Sequence, residues 1–338
     1  MDRKKKKAIF LCDTPDVIYR VFDRATKAQI AALCDLEEGV FSKADLLADP
    51  RRFCEVELVF SGWGMPTLCE EEIRRCLPRL ECLFYAAGSV QAFARPFLAC
   101  GVRVFSAWAA NAIPVAEFTV AQIILANKGY FLSSRVYHKS GRAAADKVFS
   151  RCRGNYGETV GIIGAGMIGK LVINMLKSYR LRVLVFDPFL PDSAAKELGV
   201  EKCDLPRLFG ECFTVSNHLA NNAQTRGMLD YSLFSLMREN AVFINTGRGA
   251  QVVEDDLVRI LREREDITAL LDVTYPEPPV EGHPFYTLEN CLLTPHIAGS
   301  AGDEVCRMAE YMLAECKAYL RDEPCRYEVS EKMLETMA

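Results

Sequence analysis

Three glycines at the end of an apolar run are the plainest chemical signal in this chain. Residues 159–169 read TVGIIGAGMIG, with Gly164, Gly166 and Gly169 at GxGxxG spacing, and Lys170 to Tyr179 continue in a helical pattern. Such a turn needs glycine for a tight reversal after a strand, for close approach of backbone N–H groups to a pyrophosphate, and for close packing of helix on strand. The spacing alone is a weak signal. It gains weight from Asp187, which ends the next apolar run eighteen residues after Gly169, where a carboxylate can accept hydrogen bonds from an adenosine ribose diol. The same acid repels a 2′-phosphate, and Pro188 rather than an arginine or lysine follows it, so NAD is expected over NADP. The expected cofactor turn is Gly164, Gly166, Met167, Ile168 and Gly169, with Asp187 opposite it.

A turn of this kind has to be carried by a βαβ unit, and short apolar runs alternate with helical patterns along nearly the whole chain. One series of expected strands runs through Ala8–Cys12, Leu58–Ser61, Cys82–Ala86 and Val102–Ser106, with a helix at Glu70–Arg79. A second runs through Thr159–Ile163, Arg182–Phe186, Phe213–Asn217, Ala241–Asn245, Ala269–Val273 and Cys291–Thr294. Two sheets are implied, and 338 residues exceed what one hydrophobic core usually holds. The expected class is α/β: two Rossmann-like or flavodoxin-like parallel-sheet domains with a cleft between them. The first is expected to comprise residues 1–110 and 303–338, and the second, which carries the glycine turn for NAD, residues 111–302. Ile113–Tyr130, with Pro114 near a helix start, is expected to connect them, and a helix over Ala301–Leu320 to pack back on the first.

Bulk composition excludes several classes. Half the residues are hydrophobic, a quarter are charged and the net charge is -4, so the chain has no basic footprint for nucleic acid. The lysine-rich lead-in Met1–Lys7 is followed by an apolar stretch of only Ala8–Cys12, too short for a signal peptide or a membrane span. Fourteen cysteines are scattered singly, with no CxxC pair and no cluster with the four histidines, so reduced thiols in a cytoplasm are expected and no metal.

Three later strings add to this: INTGRG at Ile244–Gly249, LLDVTYPEPP at Leu270–Pro279 and LTPHIAGS at Leu293–Ser300. With them the sequence resembles the D-isomer-specific 2-hydroxyacid dehydrogenase family, most tightly from Asn111 to Ser300. The resemblance implies an active site of Arg248, Glu277 and His296. An arginine offers a planar fork of donors that can hold a carboxylate and polarise the neighbouring carbonyl. A histidine can exchange the substrate oxygen's proton near neutral pH, and a glutamate on its other nitrogen fixes the tautomer. The resemblance further implies that Asp272 meets the nicotinamide carboxamide, that Asn245, Thr246 and Gly247 line that ring, and that His218 and Gly299 complete the cofactor site. It places Ala87, Gly88, Asn111 and Trp63 near substrate, Trp63 standing equally as pocket wall or packing.

The chain departs from the family in two places. The GxGxD carboxylate loop reads AAGSV over Ala86–Val90, and the HxP string reads His218, Leu219, Ala220. His138 and His283 stand in no motif and are expected at the surface or in loops. The implied activity is hydride transfer between NAD and C2 of a small 2-hydroxy or 2-keto acid by a homodimer. The alternative is an NAD-sensing, corepressor-like scaffold of the same fold.

Overall fold

Short strands buried on both faces organise both halves of the chain. The computed structural model describes residues 4–335 and divides into two units, Met1–Asn111 with Ser300–Ala338, and Ala112–Gly299. Part of the lysine-rich lead-in, Met1 to Arg3, lies outside the described residues.

In the first unit, β1 (Lys7–Leu11), β2 (Asp35–Phe41), β3 (Leu58–Ser61), β4 (Cys82–Tyr85) and β5 (Arg103–Ser106) form a parallel sheet in the order β5-β4-β3-β1-β2. Glu328–Val329 adds an antiparallel edge strand on β5. Phe60, Phe84 and Phe105 stack across the sheet with ring centroids 5.1 and 5.0 Å apart. The last helix, Glu304–Leu320, buries Met308, Met312 and Cys316 in this same core. β2 escapes sequence reading because its residues are mostly polar and half-exposed, as suits an edge strand.

The second unit carries a seven-stranded parallel sheet. Its strands are β6 (Tyr156–Ile163), β7 (Arg180–Phe186), β8 (Glu201–Lys202), β9 (Thr214–Asn217), β10 (Val242–Asn245), β11 (Thr268–Leu271) and β12 (Cys291–Leu293), in the order β12-β11-β10-β9-β6-β7-β8. Both faces are covered: Phe243 points into a layer with Phe209 and Phe234, and Val242 and Ile244 into one with Val172 and Ile173. The order reverses between β6 and β9, which leaves a crevice beyond their carboxyl ends where open α/β sheets bind ligands.

The connecting helix runs Trp108–Asn127, so Pro114 lies inside it and not at its start. A proline there removes the N–H that would bond the carbonyl of Ala110, yet the helix continues. By length and composition it could cross a membrane. Ala116, Ile123 and Ala126 are nevertheless fully buried, and Thr119 and Asn127 hydrogen-bond Thr246 and Thr214 at 3.0 and 2.7 Å, as in a core helix.

Candidate active site

The glycine turn leaves β6 at the sheet's point of reversal. Gly164 takes φ +91°, a conformation that side chains avoid, and a Cβ there would meet the His218 carbonyl oxygen at 2.8 Å. A Cβ on Gly169 would overlap the Gly164 carbonyl oxygen. Gly166 is different: a Cβ there meets nothing within 4 Å, so the space is open. It is also the N-cap of helix Met167–Leu176 and offers no side-chain cap, so the first-turn amides, including those of Met167 and Ile168, are left without a side-chain acceptor, as an anion site needs. Asp187 Oδ2 accepts the Ala165 N–H at 2.7 Å and Oδ1 the Phe189 N–H at 2.8 Å, which fixes the carboxylate beside the turn. Across the reversal, His218 Nε2 pairs with Ser216 Oγ at 2.9 Å, while its buried Nδ1 has no partner among the described residues. Burial pushes this imidazole down to about 4, so it is neutral at physiological pH. Open space at Gly166, free helix amides and an unpartnered nitrogen together fit a dinucleotide.

Arg248, Glu277 and His296 all arise beyond the carboxyl ends of β10, β11 and β12 at the same sheet edge. His296 Nδ1 lies 2.6 Å from Glu277 Oε1, with both side chains close to half-exposed and open to a ligand. Arg248 is half-buried; its Nη1 donates to the Gly247 carbonyl at 2.7 Å. Burial lowers the guanidinium's pKa, and the facing Glu277 carboxylate opposes that shift. The loops carrying these two residues touch directly, because a Cβ on Gly249 would overlap the Thr274 backbone. The Tyr275–Pro276 and Glu277–Pro278 peptides are both cis.

Asp272 anchors the histidine loop. Its Oδ1 accepts from Thr294 Oγ1 at 2.6 Å and from the Ile297 N–H at 2.8 Å, and its Oδ2 from the Ala298 N–H at 2.9 Å. Its backbone carbonyl accepts the His296 N–H at 3.1 Å and so supports that residue's left-handed φ of +54°. Asn245 Oδ1 accepts from Asn217 Nδ2 at 3.0 Å and from the Gly247 N–H at 3.1 Å, and its Nδ2 donates to the Arg248 carbonyl at 3.1 Å. Thr246 pairs with Thr119.

Sequence reading misses the residue that ties this network together. Gln251 is fully buried; its Oε1 accepts from Asn217 Nδ2 at 2.5 Å and from the Arg248 N–H at 3.2 Å, and its Nε2 donates to the Leu219 carbonyl at 2.7 Å. A lone amide opening the apolar pair Val252–Val253 was the available signal. His283 lies in a loop, as expected, but its side chain is only 13% exposed and stands 3.8 Å from Glu254. His138 is exposed on helix Tyr130–Ser140.

The other four expected residues belong to the first unit. Ser106 Oγ donates to the Ala87 and Gly88 carbonyls at 2.9 and 2.6 Å, and Asn111 Oδ1 accepts the Ser300 N–H at 3.0 Å. Trp63 packs against that unit's core with the Arg20 guanidinium 5.7 Å from its ring. Gly299, at the end of the second unit, follows the buried Ala298.

Residues 121–298 match the model of the D-isomer specific 2-hydroxyacid dehydrogenase family's NAD-binding domain. The chain is 31% identical over 225 residues to a D-3-phosphoglycerate dehydrogenase of Methanocaldococcus jannaschii, covering 66% of this chain and 42% of that protein. It is 35% identical over 168 residues to a glyoxylate reductase of Korarchaeum cryptofilum, covering 50% of this chain and 51% of the relative. The matched stretches thus span about half the length of these curated relatives. In fold, it is similar to a phosphoglycerate oxidoreductase from Rhizobium etli, with a TM-score of 0.78 at 22% identity over 97% of this chain and 99% of that one. The apo form of Rhodotorula graminis D-mandelate dehydrogenase also gives a TM-score of 0.78, at 18% identity over 96% and 98%.

Proposed function

The chain belongs to the D-isomer specific 2-hydroxyacid dehydrogenase family, with NAD as cofactor, and from that premise we propose that it interconverts a small D-2-hydroxy acid and its 2-keto acid. The observation that supports this most is the 2.6 Å pair of His296 and Glu277 facing Arg248, at the same sheet edge as the glycine turn.

When bound, NAD supplies the hydride acceptor, or in reduced form the donor, for the substrate's C2. Arg248 binds the substrate carboxylate and draws electron density from the adjacent carbonyl oxygen. With His296 Nδ1 engaged by Glu277, Nε2 is the nitrogen left for substrate. In reduction its proton passes to the keto oxygen; in oxidation neutral Nε2 takes the hydroxyl proton, and Glu277 stabilises the imidazolium that results. Buried Asp272 keeps the histidine loop in place while the charge on the ring changes.

The test is a panel of 2-keto acids scored by loss of NADH absorbance, repeated with NADPH. We expect one or more to be turned over with NADH, and Arg248→Ala and His296→Ala to lose roughly 100- to 10,000-fold in kcat/KM while still binding NAD. Full activity in both variants overturns the assignment. No turnover across the panel, with recruitment of a protein partner that depends on NAD, favours the scaffold.

A further inference from the structure

Glu254 opens helix Glu254–Glu263, one strand connection away from the chemistry, and its side chain is only 13% exposed. Its Oε1 accepts the Tyr275 backbone N–H at 2.7 Å. Its Oε2 lies 3.8 Å from His283 Nε2. His283 Nδ1 accepts the Phe285 N–H at 3.3 Å, so the neutral ring carries its proton on Nε2, toward Glu254. One carboxyl group therefore bonds the start of the segment 275–283 and stands beside its end, and Glu277 lies within it. Inside the segment, Thr274 Oγ1 donates to the Pro276 carbonyl at 2.9 Å and Tyr286 Oη to the Pro279 carbonyl at 3.1 Å, so the pinned ends set the course of the whole turn.

We propose that Glu254, backed by His283, is a positioning residue that clamps the loop bearing Glu277 and so sets the tautomer of His296. This rests on the dehydrogenase reading above for its catalytic consequence, but not for its structural one. The carboxyl is largely buried, with Asp255 beside it on the same helix and the His283 imidazole at its other oxygen. Besides Asp255 and His283, the titratable group facing it among the described residues is the buried Cys291 thiol, which is neutral because burial pushes it up to about 12.

Glu254→Met keeps the volume and removes both arms; Glu254→Gln keeps a carbonyl acceptor for the Tyr275 N–H. We expect the Met variant to lose up to roughly 100-fold in kcat with KM and NAD affinity little changed, and the Gln variant to recover most of that loss. Imidazole ¹⁵N shifts, read on four histidines, supply a readout that needs no turnover. His296 should be an Nδ1–H tautomer in the wild type and move toward Nε2–H in the Met variant. If the Met variant does not fold, His283→Leu severs one arm and should produce the same shift in smaller measure. An unchanged His296 tautomer in these variants, or wild-type kcat in Glu254→Met, overturns the proposal. If the wild type turns over no 2-keto acid, the dehydrogenase reading fails and the tautomer alone decides on the clamp.

Discussion

The glycine turn and the Arg248–Glu277–His296 group sit at one edge of one sheet, yet they are built by opposite means. The turn is shaped by exclusion: at Gly164 and Gly169 the backbone lies so close to its neighbours that no side chain fits. The Arg248–Glu277–His296 group is shaped by attachment. His296 is placed through Asp272, Glu277 through its loop, and Arg248 through Asn245 and Gln251. A site made by exclusion is written in the residues that form it, whereas one made by attachment depends on partners many residues away.

The largest expected effect breaks the first kind of site. Gly169→Ala puts a methyl group on the Gly164 carbonyl and should cost about 1–3 kcal/mol of stability, read as a lower Tm, together with NAD binding. Gly166→Ala meets nothing within 4 Å, so its Tm should match the wild type while NAD affinity measured by calorimetry falls about tenfold or more, because the methyl fills space meant for phosphate. Equal Tm losses in the two variants would dissolve the distinction between a packing glycine and a ligand glycine.

Asp272→Asn tests the second kind. It preserves shape but turns an amide donor toward the N–H groups of Ile297 or Ala298. The histidine loop should shift and kcat fall by roughly 10- to 100-fold, with NAD affinity close to wild type. A weaker Kd for NAD at unchanged kcat would instead return Asp272 to the carboxamide role that the family resemblance implies.

The same contrast explains what could be read in advance. Strand positions were legible to within a few residues where both faces are buried, as in β3, β4 and β10, because continuous apolar runs there are required by helices on both sides. The polar edge strand β2 and the two-residue β8 carry no such pattern. The glycine turn was legible because its constraint is local. Gln251 and Glu254 were not, because each acts on residues such as Leu219 and Tyr275, more than twenty positions away in sequence, and no periodicity encodes such a contact. The burial of His283 within its loop was hidden for the same reason: the carboxyl beside it belongs to Glu254, 29 positions upstream. The resemblance identified Arg248, Glu277 and His296, but what holds them appears only in three dimensions.

Asp187→Ala gives a smaller effect at the turn. The carboxylate binds two backbone N–H groups, so its loss frees Ala165 and Phe189 and removes the acceptor proposed for the ribose. NAD affinity should drop about tenfold, in keeping with one or two charge-assisted hydrogen bonds, and discrimination against NADPH should narrow. Undiminished preference for NADH would place the selection elsewhere.

The smallest expected effect concerns stability and not turnover. Burial is the main cause that pushes Glu254 up from its ordinary value to about 7, with Asp255 adding to it and the Tyr275 N–H working against it. A carboxyl whose pKa is raised by folding binds its proton more tightly in the folded chain than in the unfolded one, so its contribution is most favourable below about 4.5. That contribution declines as pH rises through the window up to about 7 and is flat above it. Glu254→Gln removes this titration and leaves every other group in place. The difference in Tm between wild type and variant should therefore move against the wild type across that window, leaving Glu254→Gln the more stable of the two at pH 8. A difference that stays level with pH would mean that folding leaves the Glu254 carboxyl at its ordinary value.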